Sequence, residues 1–143
     1  MRFFKQRLIG SLLSILFLST GSLIYILFRP KNLIMFKWFR YFQTEDFISI
    51  SREKFSEIPI NDFVIYNLPN GLWITSLTIF ISIIWKDSQN KYFNYYLLTL
   101  LGIVTLPEIL QFFNFINGTF DIVDLMVNFL FFLIPFDFLN RDC

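Results

Sequence analysis

The chain contains no histidine and no alanine, and its one cysteine, Cys143, is the last of 143 residues. Without histidine, common zinc sites and Ser-His or Cys-His nucleophilic catalysis lack a ligand or base. One cysteine excludes an internal disulfide. There is also no run of lysine and arginine. Twelve basic residues stand against 11 acidic ones, for a formal net charge of +1, so nothing marks a nucleic-acid surface. What the chain has is apolar bulk: 55% apolar and 21% aromatic residues, with 21 phenylalanines and a mean hydropathy of +0.58. The absence of alanine beside so much Phe, Ile and Asn fits an AT-rich coding sequence, so aromatic content alone implies no function. Run length is more telling. The apolar runs exceed what a soluble core of this size needs and are long enough to cross a bilayer, which predicts an integral membrane protein.

The expected fold is all-α and polytopic, a single membrane domain over 1–143 with four transmembrane helices at about 8–28, 70–85, 92–113 and 121–138. Arg2, Lys5 and Arg7 precede the first span. A signal peptide has a similar flank, but its apolar core is only ~7–15 residues and ends at small residues, so this longer run reads as retained. Gly10, Ser14 and Gly21 lie near one face of the first span. In the second, Gly71, Thr75, Thr78 and Ser82 recur at four, three and four residues, stacking small side chains where helices can approach closely. Pro107 removes a backbone donor from the third span and should bend it, while Pro135 sits near the end of the fourth.

An extracytoplasmic loop is expected at about 29–69. Its first part, Asn32 to Phe42, mixes aromatics with Lys37 and Arg40. That composition suits an amphipathic helix in the membrane interface, or equally one packed on its own bundle. The rest reads as exposed loop. Arg2, Lys5, Arg7, Lys86, Lys91 and Arg141 slightly outweigh Arg29, Lys31, Lys37 and Arg40 near the first span on the other side, with Arg52 and Lys54 farther away, which puts both termini in the cytoplasm. The turn at 114–119 and the start of the second span then face outward.

Polarity returns in one short region: Glu108, Gln111, Asp121, Asp124 and Asn128 flank the turn Asn114-Phe-Ile-Asn-Gly-Thr119. A carboxylate at the centre of a spanning helix costs ~2.5–3.5 kcal/mol on insertion scales, so such residues are rarely incidental. At 3.6 residues per turn Asp121, Asp124 and Asn128 lie within about 60° of one another, and Glu108 and Gln111 likewise share a face. A short turn lets the two sets face each other across an antiparallel pair. Asp121 is also placed to N-cap the fourth helix, with Asp124 completing a reciprocal cap, and Asn128 could simply bond to a neighbouring helix. Glu108 has no lysine or arginine in the adjacent spans to pair with. It is expected either to have its pKa raised by desolvation or to share a proton or a metal with the aspartates.

These residues resemble the VanZ-like family of small bacterial membrane proteins. The family pattern runs Glu-x-x-Gln late in one span, a short turn ending in Gly-Arg, then Asp-x-x-Asp and a downstream Asn. Glu108, Gln111, Gly118, Asp121, Asp124 and Asn128 match it within a likeness covering mainly residues 68–138. Thr119 stands where the family has arginine, Phe129 to Phe132 replace glycines, and Asn67-Leu-Pro-Asn-Gly-Leu-Trp73 replaces a segment with a histidine. The chain therefore resembles a divergent subgroup. Asn67, Asn70 and Trp73 are secondary site candidates, expected level with the acidic cluster. Pro69-Asn70-Gly71 also reads as an ordinary turn and helix start.

The resemblance implies a bacterial inner-membrane protein of the cell envelope that affects susceptibility to teicoplanin-type glycopeptides. The residues themselves suggest an outward acidic site for a lipid or lipid-linked envelope precursor, acting without catalysis. One alternative is a hydrolase or transferase acting on lipid phosphate, with a divalent cation such as Mg²⁺ held by the carboxylates. No other cofactor is expected, and no phosphate cradle or activated nucleophile accompanies the carboxylates. A further alternative is a non-catalytic assembly subunit, in a homo-oligomer or a larger membrane complex. Transport is weaker still, since four spans are few and no inverted repeat is visible.

Overall fold

A computed structural model describes residues 2–31, 33–85, 92–116 and 120–140, and all regular structure in them is helical. The helices are α1 (Arg2–Phe28), α2 (Ile34–Tyr41), α3 (Glu45–Phe55), α4 (Asp62–Tyr66), α5 (Leu68–Trp85), α6 (Phe93–Phe112) and α7 (Ile122–Asn140). Lys86, Lys91, Gly118, Thr119, Arg141 and Cys143, which entered the orientation and motif readings, lie outside the described residues.

Among the described residues three helices are long and apolar enough to cross a membrane: Phe4–Phe28, Leu68–Trp85 and Phe93–Phe112. At 1.5 Å per residue the 20 residues of α6 reach about 30 Å, the thickness of a hydrocarbon core. The described apolar stretch of α7, Ile122–Pro135, is shorter than that. Helix α6 continues through Pro107, which ends no element although it leaves the Ile103 carbonyl without a helical donor.

Helix α5 occupies the centre and packs on α1, α7 and, less extensively, α6. Half of its apolar stretch is buried, against 11% for α1 and 6% for α6, so the outer helices turn their apolar faces outward. Leu12, Leu16 and Leu23 of α1, Leu98, Ile103 and Leu106 of α6, and Met126, Leu130 and Ile134 of α7 are all exposed. Such a surface is unsuited to water and suited to lipid, as expected of a membrane protein. Trp85, Tyr92, Tyr95 and Tyr96 gather at one end of the bundle, with Trp85 stacked on Tyr96 at 4.9 Å between centroids. Tyr25, Trp38, Tyr41 and Tyr66 lie on the elements of the opposite end, an arrangement typical of the two interfaces of a bilayer.

Small residues set the helix spacing. Ser14 and Ser76 donate to each other's backbone carbonyls at 3.0 and 2.8 Å, closing α1 onto α5. Thr75 donates to the Phe131 carbonyl of α7 at 2.9 Å. A Cβ on Gly71 would stand 2.6 Å from Phe131 Cγ, so the α5–α7 approach requires glycine there. Ile74, Leu97 and Phe132 form the small apolar core between α5, α6 and α7.

The segment expected as an exposed loop is more ordered than its charge suggested. Glu45 and Asp46 open α3, while Arg52 and Lys54 close it, each sign matching the helix dipole, and Ile48 is buried. Arg52 donates to the Ile26 and Arg29 carbonyls, satisfying the open C-terminal end of α1. Burial lowers its pKa from the ordinary value, yet a guanidinium stays charged throughout the physiological range. Arg29 donates to the Tyr66 carbonyl at 2.9 Å and lies over the rings of Tyr25 and Tyr66. These two arginines fasten α3 and α4 to the end of α1, level with the start of α5.

Candidate functional site

Two local devices bring the distant polar residues together. Helix α6 ends in a Schellman turn, where Asn114 takes φ 57°, Phe115 N–H donates to the Leu110 carbonyl at 2.9 Å and Asn114 N–H to that of Gln111. Asparagine tolerates this left-handed conformation better than most residues, which suits it to reversing the chain here. Helix α7 is opened by Asp121, whose Oδ1 accepts from Val123 N–H at 2.8 Å. That is an N-cap bond, as the sequence spacing indicated.

The reciprocal half of that cap is not formed. Asp124 Oδ1 instead accepts a 2.7 Å hydrogen bond from Asn67 Nδ2, at the junction of α4 and α5. Glu108 Oε2 accepts from Asp121 N–H at 3.4 Å, a long contact that ties α6 to the start of α7. The three carboxylates thus share one end of the bundle, and among the described residues no lysine or arginine forms an ion pair with any of them. No three His, Cys, Asp or Glu side chains among the described residues are grouped closely enough to hold a metal ion.

Below this ring of contacts lies a pocket of about 300 Å³ between α5, α6 and α7. Asn70, Trp73, Ile74 and Leu77 line it from α5, Val104, Pro107 and Glu108 from α6, and Asn128 from α7. Asn128 is only 3% exposed, and its Oδ1 has no hydrogen-bond partner. Buried carboxamides are nearly always paired, so an orphaned one on a pocket wall needs explaining. Trp73 donates from Nε1 to Ser22 Oγ at 3.3 Å and packs against Tyr25, which anchors that wall to α1.

Of the candidates read from sequence, Glu108, Asn128, Asn70 and Trp73 meet at the pocket, and Asp121, Asp124 and Asn67 join around its upper rim. Gln111 is half-buried but does not line the pocket. Asp121, Asp124 and Asn128 have three separate tasks: cap, clasp and pocket wall. The walls at Ile74, Leu77 and Val104 were not singled out from sequence. The spacing of Asn70, Trp73, Ile74 and Leu77, at intervals of three, one and three, does place all four on one helix face and was the available signal. The clamp formed by Arg29 and Arg52 gave no comparable signal, because Arg29 reads as an ordinary flanking charge of the first span and Arg52 as one of the charges of an exposed loop.

Chemically, the pocket offers one carboxylate, two carboxamides and an indole, with apolar walls and no cationic side chain. It can accept hydrogen bonds and positive charge, and it lacks a nucleophile paired with a base. Compared with known protein families, curated proteins and solved structures, the chain matches none.

Proposed function

We propose that the protein is a VanZ-like integral membrane protein of the bacterial cell envelope, whose acidic site binds a lipid or lipid-linked headgroup at the outer face of the inner membrane. The observation carrying this reading is the clasp between Asn67 and Asp124, which joins the acidic motif to the start of α5 at 2.7 Å beside the pocket holding Glu108 and Asn128. In this reading α7 is the fourth span. Its 19 residues reach about 28 Å, close to the hydrocarbon thickness. Helix α2 rests in the interface, with Phe36 buried and Lys37, Trp38, Arg40 and Tyr41 exposed. Both termini are cytoplasmic, so the pocket rim faces outward.

The test is teicoplanin susceptibility of a host with an accessible cell wall, expressing wild type or Glu108→Gln at matched membrane levels. Wild type is expected to protect and Glu108→Gln to protect several-fold less. Equal protection by both would remove Glu108 from the mechanism. No protection by either would remove the antibiotic role.

A further inference from the structure

The pocket's chemistry narrows the headgroup, on the reading that this is a headgroup site. Asn128 leaves a buried acceptor unpaired on one wall, and Glu108 stands on the α6 wall with only a long backbone contact to meet its charge. Asp121 and Asp124 add negative charge at the rim, and no lysine or arginine lines the space. An anionic group set against Glu108 and Asn128 would meet carboxylates and no counter-charge, whereas a protonated primary amine carries three donors and the opposite sign, so any phosphate of the same headgroup has to stay at the mouth of the pocket. The indole of Trp73 adds an electron-rich surface that favours a cation.

The rest of the pocket points to a lipid as carrier. Ile74, Leu77 and Val104 continue from the polar end along α5 and α6, and Leu77 and Pro107 are exposed on the outer surface of the bundle. The pocket therefore opens sideways onto the apolar faces of α5 and α6. A volume of about 300 Å³ holds a small head and the first carbons behind it, at the low end of ligand pockets. We infer that the pocket binds the primary ammonium of an amino-headgroup lipid, with Glu108 and Asn128 accepting its N–H groups and the phosphate and acyl chains lying outside the opening beside Pro107 and Leu77.

The test is lipid retention by the full-length purified protein in detergent micelles, read by native mass spectrometry. The probes are phosphatidylethanolamine, its N-acetylated derivative and phosphatidylglycerol. Wild type should retain phosphatidylethanolamine about tenfold over the other two, and Glu108→Gln should abolish that preference. Asn128→Leu, which fills the pocket and removes the acceptor, should lower retention of phosphatidylethanolamine selectively. Equal retention of the N-acetylated lipid by wild type would overturn the proposal without reliance on any variant. Retention of free ethanolamine as tight as that of phosphatidylethanolamine would overturn the lipid as carrier. Headgroup preference without teicoplanin protection would sink the envelope role and keep the ligand. Protection that depends on Glu108 but comes without preference would do the reverse.

Discussion

Asp121 is where two explanations of one residue can be separated. Its carboxylate caps α7 through Val123 N–H, while its own N–H reaches Glu108. The cap needs only a side-chain acceptor, so Asp121→Asn should unfold at nearly the wild-type point in a detergent titration. Asp121→Ala should lose ~1 kcal/mol. If the two variants were equally destabilised, the negative charge would matter more than the cap. Asp124, three residues on, has a different role despite its matching spacing, because a partner from α4–α5 claims its oxygen. Local capping rules cannot foresee such a competitor, since Asn67 is 57 residues away. The polarity of Asp124 was visible in the sequence. Its bonding was decided by packing.

At the scale of elements, the bundle depends on how closely α5 can approach its neighbours. A methyl on Gly71 would meet three ring atoms of Phe131 within 2.9 Å, near the root of that side chain where it cannot swing aside. A methyl on Gly102 would meet nothing within 4 Å. Gly71→Ala should therefore destabilise the protein by ~1–3 kcal/mol through overpacking, and Gly102→Ala should be neutral or slightly stabilising in α6. Comparable losses at both sites, by the same titration, would place α7 elsewhere. The small-residue stripe in α5 was legible because hydrocarbon-spanning helices leave few other reasons for such spacing. The helix α3 was harder to read. Its charge suggested a solvated loop, although acidic residues at its start, basic residues at its end and a single buried Ile48 are a helix pattern. Its attachment through Arg52 to the carbonyls of α1 is a tertiary contact that no local pattern encodes.

As a whole molecule, the chain partly reverses the usual layout of a soluble protein: small polar residues line the helix contacts of α5, while many large apolar ones face outward. Class and helix content followed from hydropathy alone, because the bilayer permits few solutions. Orientation rests on a small imbalance of basic residues and needs a direct probe. With Cys143→Ser as background, Phe115→Cys in the exposed turn should react with a membrane-impermeant maleimide in intact cells. Labelling only after lysis would reverse the topology and turn the pocket rim to the cytoplasm.

The central claim is that polar residues from separate elements meet as one site, and the Asn67–Asp124 contact carries it. The most direct measurement is an exchange of the two partners, with stability read by reversible unfolding in mixed micelles. Asn67→Asp alone sets two carboxylates against each other and should cost ~1–3 kcal/mol. Adding Asp124→Asn restores an amide facing a carboxylate with the direction reversed. The double variant should then recover to within ~0.5 kcal/mol of wild type, a coupling well beyond additivity. A double variant that simply sums the two single losses would mean that the residues do not touch, and the site would come apart with them.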